Sequence, residues 1–282
     1  MPQDFVESLH ADYGQRFSVD EVLYEARTEH QHLVIFRNKR MGRVLALDGA
    51  VQTTEADEFI YHEMLAHVPI LAHGAVRKVL IVGVGDGGIV REVTRHKSIE
   101  EIVAVEIDQA VIDMCLKYLP NHSAGSLDDP RLKLVIADGL DYLRETTEKF
   151  DVILSDSTDP IGPAASLFSN DFYRLSSQRL TERGILATQN GVPFLQPDEL
   201  RQTAKNLAQS FPDRHFFHAA VPTYIGGSMS FGWGAMDPKA RHVPIETLRR
   251  RFAASGLKTR YYNPEIHQAS FALPQYMLDL IA

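Results

Sequence analysis

The chain has 282 residues, of which 44% are hydrophobic and 23% charged, and its formal net charge is −8. This length allows one large domain, or one large and one small domain, and the composition is typical of a soluble globular protein. The acidic balance argues against a nucleic-acid partner, and no apolar run is long enough to span a membrane.

Two further features concern the compartment. Residues 1–8 are polar and acidic and lack the layout of a signal peptide. The single cysteine, Cys115, excludes an internal disulfide framework and fits a reducing cytosol. Its neighbours suggest a helix, which favours a buried thiol over a reactive one. We therefore expect a cytoplasmic protein.

Residues 1–54 predict a small N-terminal domain made of strands. Short runs rich in β-forming residues occur at 22–26, 32–36 and 43–47, and Asp48 and Gly49 mark a tight hairpin turn into a further strand. An antiparallel sheet of this size is too small to be stable alone. We expect it to dock on the rest of the chain or on a second subunit.

Residues 55–282 predict the larger domain, which begins with a helix. The box at 54–57 indicates a helix start, and Pro69 is expected to interrupt that helix. Strands and helices then alternate. The strands are predicted at 79–83, 102–106, 132–136, 150–154 and 184–188; the helices include 109–118 and 170–182, the latter with Ser169 as its cap and Gly184 beyond its end; a late hairpin covers 215–221 and 230–235. This alternation predicts an α/β fold with a doubly wound, mostly parallel sheet.

The stretch 78–91 organises this larger domain. A buried strand runs into a glycine-rich loop at 83–88 and then into a helix start, which are the parts of a nucleoside-binding loop. The glycine spacing differs from that of a pyrophosphate loop. Glu106, which closes the next strand, suits the ribose hydroxyls of an adenosine-like ligand. Asp86 would repel a phosphate, so the loop is expected to face a cation.

Acidic side chains follow each of the first four strands of this domain: Asp86, Glu106, Asp138, Asp156 and Asp159. Because ligands of parallel sheets bind at the carboxyl ends of the strands, these acids are expected to meet in one crevice. For any single acid, helix capping is about an equally good interpretation. Five together favour a crevice of unpaired carboxylates that a cationic ligand compensates.

Within that crevice, Asp156 and Asp159 are the best candidates for chemistry, since they can flank a bound amine. The segment 160–168 is rich in small residues and is either a lid or a plain surface loop. Tyr224 and Trp233 from the late hairpin can line a cation channel, although core packing is an equally good interpretation of Trp233.

Other catalytic signals are missing from the sequence. No cluster of His, Cys and Asp has metal-ligand spacing, and no Gly-x-Ser-x-Gly elbow occurs. His62 on its own would be interpreted as structural. We therefore expect neither a metal nor a bound cofactor.

Seven separated motifs, in the same order, resemble those of bacterial-type spermidine synthases over nearly the whole chain. They lie at 48–55, 58–64, 83–93, 105–108, 155–163, 222–227 and 260–264. The resemblance implies transfer of an aminopropyl group from decarboxylated S-adenosylmethionine, a co-substrate, to putrescine, giving spermidine and methylthioadenosine. It also implies a methyltransferase-like catalytic domain behind the N-terminal β domain, and a homodimer or homotetramer.

The resemblance assigns roles by motif position. The nucleoside set is Gln31, Gln52, Glu106, Asp138, Gly139 and Pro163. The amine set is Tyr61, His62, Asp86, Asp156, Ser157, Thr158, Asp159 and Tyr224, with Asp156 as proton acceptor. Gln189 is a further position of the site. Val84 departs from the family, whose loop usually carries glycine there, and its side chain either crowds the ligand or points into the core.

The chemistry expected from the residues agrees with these roles. An ammonium group with a pKa of about 10.4 is almost fully protonated at pH 7, so an acceptor amine needs a base such as Asp156. Two other functions stay open: an S-adenosylmethionine-dependent methyltransferase of a small amine, and an inactive polyamine- or nucleoside-binding protein. The intact turn at 156–159 counts against the inactive protein. The range of acceptor amines and the choice between dimer and tetramer also stay open.

Overall fold

The computed structural model describes residues 3–160 and 162–282, with all side chains in these ranges except those of Gln3 and Pro163. The N-terminal part contains a two-stranded and a four-stranded antiparallel sheet. Their strands are β1 (Gln3–Val6), β2 (Arg16–Val19), β3 (Glu21–Arg27), β4 (His32–Asn38), β5 (Gly42–Leu47) and β6 (Ala50–Thr54). The predicted strands and the turn at Asp48 and Gly49, both with positive φ, are confirmed. The strands β1 and β2 were not predicted.

The second part is built on a seven-stranded sheet. Its strands are β7 (Lys78–Val82), β8 (Glu101–Glu106), β9 (Leu132–Ile136), β10 (Phe150–Ser155), β11 (Leu180–Gln189), β12 (Asp213–Ala219) and β13 (Met229–Ala235). They lie in the order β12-β13-β11-β10-β7-β8-β9. The strands β7 to β11 pair in parallel, and β13 pairs antiparallel with both β11 and β12. The chain winds to opposite sides from β7, so the switch point lies between β7 and β10.

Helices cover both faces of this sheet. They are α1 (Glu58–His73), α2 (Gly88–Thr94), α3 (Gln109–Tyr118), α4 (Pro120–Ser123), α5 (Gly139–Glu145), α6 (Asn170–Arg179), α7 (Pro197–Ser210), α8 (Ile245–Ser255), α9 (Pro264–Ser270) and α10 (Gln275–Ile281). Alternate strand residues serve the two layers: Val79 and Ile81 pack with α1 and α2, whereas Leu80 and Val82 pack with the layer of α5 to α7. The predicted fold, α/β with a doubly wound, mostly parallel sheet and a small antiparallel β-sheet region before it, is confirmed.

Two local predictions were wrong. Pro69 does not interrupt α1, which continues to His73 and ends at Gly74 in the left-handed conformation; nearly every residue of this helix is buried, so packing outweighs the hydrogen bond that proline removes. The box at 54–57 does mark a helix start, since α1 begins at Glu58, and within the box the Thr54 hydroxyl donates to the Asp57 side chain at 2.7 Å. Ser169 does cap α6, but Gly184 lies inside β11.

Candidate active site

Two adjoining cavities open at the carboxyl ends of β7, β8 and β10. We call them the acidic cavity and the loop cavity. The acidic cavity, of about 950 Å³ of empty volume, contains His62, Asp86 and Asp159 among its walls. The loop cavity, of about 820 Å³, is lined by the glycine loop, Glu106 and Asp138.

One short segment separates the two cavities. Gly85, Asp156, Ser157 and Thr158 line both of them, together with two apolar side chains. The segment follows β10, directly at the switch point of the sheet. A molecule in one cavity can therefore meet a molecule in the other across the Asp156 carboxylate.

The glycine loop brings this segment and β7 together. Gly83 has a positive φ, and a Cβ on it would overlap the carbonyl oxygen of Asp156. The Asp156 amide also donates to the Val82 carbonyl at 2.8 Å. Val84 is fully buried in the core, so its departure from the family pattern leaves the ligand space free.

Glu106 holds the loop in place. One carboxylate oxygen accepts the amides of Val84 at 2.8 Å and Gly85 at 3.1 Å, and the other accepts the Asp108 amide at 3.0 Å. Each carboxylate oxygen can accept more than one hydrogen bond. The side chain therefore shapes the loop and keeps acceptor capacity for a ligand.

The other members of the predicted nucleoside set divide between the two cavities. Gln31 lines the loop cavity and donates to Asp108 at 3.2 Å. Asp138 and Gly139 line it too, and Asp138 accepts the amides of Leu140 and Asp141, so the capping interpretation holds for this acid. Gln52 lies in the acidic cavity instead, because β6 passes over that cavity. The Pro163 side chain lies outside the described part of the chain.

Asp86 is a paired carboxylate, which corrects the expectation of unpaired acids. It accepts the Gly88 amide at 2.7 Å and faces the Nε2 atoms of His62 at 3.4 Å and His122 at 3.6 Å. Although burial opposes ionisation, these two histidines lower the pKa of Asp86. The cavity therefore carries an ionised Asp86 before any ligand enters.

His62 lies behind Asp86 and contacts two carboxylates. Its Nδ1 lies 2.5 Å from Glu58, which Arg91 grips through both carboxylate oxygens. Burial alone would lower the pKa of His62, but Asp86 and Glu58 raise it to about 9. Gly88 makes room for the ring, since a Cβ there would overlap it.

Asp156 is partly buried and carries one short hydrogen bond. The Tyr61 hydroxyl donates to it at 2.6 Å, and the Tyr61 ring packs edge-on against Tyr224 and His62. Burial raises the pKa of Asp156 to about 7, against the opposing effects of His62 and the Tyr61 hydrogen bond. A carboxyl group with this pKa is a competent proton acceptor near neutral pH.

The far end of the acidic cavity is more acidic than the sequence indicated. Gln196 donates to Asp159 at 2.5 Å and to Glu199 at 3.2 Å. Burial and the nearby Asp159 raise the pKa of Glu199 to about 8, and burial raises the pKa of Glu7. Sequence reasoning missed Glu7, Gln196 and Glu199, because no motif marks them. Glu7 follows β1, Gln196 directly precedes α7, and Glu199 lies in the first turn of α7.

The structure also gives the positions of Trp233, Gln189 and Tyr224. Trp233 is fully buried and donates to Asp213 at 2.9 Å, so it belongs to the core and not to a cation channel. Gln189 and Tyr224 line the acidic cavity, and the Tyr224 hydroxyl donates to the Gln52 carbonyl at 2.5 Å. Of the segment predicted as a lid or loop, Ala164 and Leu167 line the loop cavity.

Among the described residues, no group of His, Cys, Asp and Glu side chains is arranged to hold a metal ion. Within the same ranges, no helix has the length and apolar character needed to cross a membrane.

Comparison with known proteins gives a consistent result. The profile described as "Spermine/spermidine synthase domain" matches residues 58–242, and "Spermidine synthase tetramerisation domain" matches residues 5–55. Polyamine aminopropyltransferase 1 of Pseudomonas aeruginosa is 63% identical over 99% of this chain and 97% of its own length. The polyamine aminopropyltransferase of Pseudomonas syringae pv. tomato is 60% identical over the same shares.

Solved structures agree. A spermidine synthase in complex with the transition-state analogue AdoDATO superimposes with a TM-score of 0.94 at 36% identity, covering 100% of this chain and 96% of the other. The spermidine synthase of Thermotoga maritima gives 0.92 with the same identity and coverage.

The fold and the paired cavities define an α/β transferase with a methyltransferase-like sheet. Within that class, the chain belongs to the spermine/spermidine synthase family. Its activity is that of a polyamine aminopropyltransferase.

Proposed function

We propose that this enzyme transfers the aminopropyl group of decarboxylated S-adenosylmethionine to putrescine, giving spermidine and methylthioadenosine. The observation that carries the proposal is the segment shared by the two cavities, with Asp156 between a loop cavity and an acidic cavity. A donor and an acceptor held on its two sides are in position for direct transfer.

The donor occupies the loop cavity. The ribose hydroxyls donate to Glu106, whose oxygens keep free lone pairs, and the base lies near Asp138 and Gly139. The aminopropyl arm passes Gly85 toward Asp86. An ionised Asp86 attracts the terminal ammonium of the decarboxylated donor and repels the carboxylate of intact S-adenosylmethionine.

The acceptor occupies the acidic cavity. One amine of putrescine lies at Asp156, and the other faces Asp159 and Glu7 at the far end. Tyr61 and Tyr224 form the wall between these ends, with Ser157 and Thr158 on the side of the donor. A cavity with acids at both ends favours a diamine over a monoamine.

The reaction is a single displacement. Asp156 accepts a proton from the attacking amine, whose nitrogen then bonds to the carbon attached to sulfur. The carbon–sulfur bond breaks, and its electron pair stays on sulfur, which leaves as the neutral thioether of methylthioadenosine. Because the leaving group is neutral, the chemistry requires no metal, no general acid and no cofactor.

One assay separates this function from its rivals. The enzyme is incubated with putrescine and either the decarboxylated donor or S-adenosylmethionine, and the nucleoside products are measured. We expect methylthioadenosine from the decarboxylated donor alone, formed about 10³-fold more slowly by Asp156→Asn. S-adenosylhomocysteine from S-adenosylmethionine would indicate a methyltransferase, and no product from either donor would indicate a binding protein.

Assembly and compartment belong to the same proposal. Because residues 5–55 match a domain described by its role in tetramerisation, we propose that the N-terminal sheets join copies of the chain into a homodimer or homotetramer. Cys115 is a buried free thiol, which is compatible with a cytoplasmic enzyme. Light scattering on the purified protein gives the subunit number, and a monomeric mass contradicts the assembly.

A further inference from the structure

A third cavity lies at the opposite end of α1 from the active site, and we call it the basic pocket. It has about 770 Å³ of empty volume, close to that of the loop cavity. His73, which lines the basic pocket, follows Tyr61 of the acidic cavity by 12 residues on α1. The two sites are therefore roughly 18 Å apart along the helix axis. None of the residues assigned to the two substrates lines the basic pocket.

Three cationic side chains meet in this pocket without a carboxylate partner. Arg183 comes from β11, Arg251 from α8, and Lys239 directly precedes the turn at 240–242. Within the described part of the chain, none of the three forms an ion pair. Asp237 also lines the pocket, but its carboxylate accepts the Lys239 amide at 2.9 Å. The pocket thus carries excess positive charge in a chain whose net charge is −8.

Arg251 is fixed in place at the end of α1. Its Nη1 donates to the carbonyl oxygens of Leu71 at 2.7 Å and Ala72 at 2.6 Å, which offsets the negative end of the helix dipole. Gly74 has a positive φ and leaves room for the guanidinium, since a Cβ there would overlap it. A guanidinium has five N–H donors, so those on Nε and Nη2 remain for a ligand.

His73 adds a buried ring nitrogen that has no partner. The residue is 6% exposed, and its Nδ1 accepts the Ala75 amide at 3.2 Å. Burial and the charges of Arg183 and Arg251 lower the pKa of His73, against the effect of Asp151. The ring is therefore neutral at pH 7 and carries its proton on Nε2. Over residues 3–160 and 162–282, Nε2 finds no hydrogen-bond acceptor, which is uncommon for a buried polar atom.

The nearest carboxylate outside the pocket is already occupied. Asp151 accepts the amides of Arg77 at 2.8 Å and Lys78 at 3.1 Å, and the Thr181 hydroxyl at 3.1 Å. Arg183 reaches a carbonyl oxygen of α1 at 3.5 Å, a long and weak contact. What the pocket lacks is an acceptor with negative charge.

We propose that the basic pocket binds an anion through a phosphate group, held by Arg183, Lys239 and Arg251. A phosphate group carries about two negative charges at pH 7, and its oxygens match the planar fork of a guanidinium. A carboxylate brings one charge and two oxygens, so it would leave more of the donors unpaired. Inorganic phosphate and the phosphate of a nucleotide share this chemistry. The site is independent of the proposed aminopropyl transfer.

The first test measures binding by calorimetry with inorganic phosphate, pyrophosphate and AMP, at an ionic strength held constant with sodium chloride. We expect saturable binding with one site per chain. Tighter binding of AMP than of inorganic phosphate would identify an attached phosphate group as the ligand, and the reverse order would identify the free ion. No saturable binding of any of the three overturns the inference, whether or not the enzyme forms spermidine.

The second test uses Arg183→Gln and Lys239→Gln, two exposed positions whose loss leaves the end of α1 intact. Each should weaken binding about tenfold, because a hydrogen bond between charged groups is lost. Arg27→Gln is the matched control, since it removes the same charge from exposed β3, outside the pocket. Its affinity should equal that of the wild type, and the unfolding temperature of all three variants should stay close to the wild-type value.

Two outcomes of this comparison overturn the site. Wild-type affinity in both Arg183→Gln and Lys239→Gln would show that the pocket does not hold the anion. Equal weakening in Arg27→Gln would show that binding follows net charge instead of a site.

The wild type gives a further readout of location. Nitrogen-15 NMR of the histidine rings, assigned with His73→Gln and His62→Gln, should show the His73 signal moving as the anion is added and the His62 signal staying in place. Saturating methylthioadenosine and putrescine should leave the anion affinity unchanged. A response of His62 without one of His73, or displacement of the anion by these two ligands, would place it in the active site and contradict the inference.

Discussion

The two cavities achieve their polarity in different ways. In the loop cavity, Glu106 and Asp138 accept backbone amides, so their carboxylates are tied to the loop and to the start of α5. In the acidic cavity, Asp86 is buried and Asp156 and Asp159 are partly buried among other side chains, and their pKa values are shifted. The first arrangement suits recognition of a neutral sugar, and the second suits the handling of protons and cations.

The largest expected effect belongs to the segment between the cavities. Asp156→Asn removes the proton acceptor and keeps the shape of the side chain. We expect kcat to fall by about 10³-fold, near the middle of the range for loss of a general base. Donor affinity, measured by calorimetry, should change little. A kcat within threefold of the wild type would remove Asp156 from the mechanism.

Asp86→Asn tests whether the acidic cavity selects the donor. The neutral amide no longer repels the carboxylate of S-adenosylmethionine, so the preference for the decarboxylated donor should shrink by at least about tenfold. The measurement is the ratio of the dissociation or inhibition constants of S-adenosylmethionine and the decarboxylated donor. An unchanged ratio would mean that Asp86 does not discriminate between the two donors.

Glu106→Gln tests the loop cavity in the same way. The new amide places an N–H₂ group where Val84 and Gly85 donate, so the loop and the ribose contact both weaken. We expect the KM for the donor to rise about tenfold or more, with a small change in the KM for putrescine. A rise in the putrescine KM alone would reverse the assignment of the two cavities.

Tyr61→Phe tests the hydrogen bond that tunes Asp156. The bond at 2.6 Å lowers the pKa of Asp156, so its loss should raise that pKa and move the acid limb of kcat/KM to higher pH. In the wild type, kcat/KM should rise with pH through about 7, because only the ionised form of Asp156 accepts a proton. Tyr224→Phe is the control, since its hydroxyl donates to Gln52. If the acid limb of kcat/KM has the same apparent pKa in the wild type, Tyr61→Phe and Tyr224→Phe, the Tyr61 hydrogen bond does not shift the pKa of Asp156.

The smallest expected effect concerns stability. The pKa of Asp156 in the folded enzyme, about 7, lies above that of an unfolded aspartate, about 3.9, so its cost to stability grows as the pH rises from about 3.9 to about 7 and is fully present above that. Asp156→Asn should therefore raise the free energy of unfolding of the ligand-free enzyme by up to about 4 kcal/mol at pH 8, and by less at pH 5. The unfolding temperature should rise accordingly. A larger gain at pH 5 would contradict the raised pKa.

The sequence predicts the part of this site that depends on sheet geometry. Parallel strands bring their carboxyl ends to one edge, so Asp86, Glu106, Asp138 and Asp156 were expected together, and each lines one of the two cavities. The sequence alone does not predict contacts between elements that are distant in the chain. The pairing of Asp86 with His62 and His122 depends on how α1 and α4 pack against the loop, and no local pattern encodes that packing.

The same limit explains the errors in helices and loops. Pro69 lies in a buried helix whose packing outweighs a local preference, and Trp233 has a carboxylate partner, Asp213, on the neighbouring strand. Glu7 reaches the acidic cavity from the loop after β1, and Glu199 of α7 lies behind its wall, bonded to Gln196. Their acidity in the sequence resembles that of ordinary surface residues until the fold brings them near Asp159.

A crystal structure of the enzyme with methylthioadenosine and putrescine together is the most direct measurement. We predict the nucleoside in the loop cavity with its ribose on Glu106, and putrescine in the acidic cavity with one nitrogen at Asp156 and directed toward the sulfur. Both ligands in a single cavity, or an amine bonded to His62 and remote from Asp156, would contradict the account.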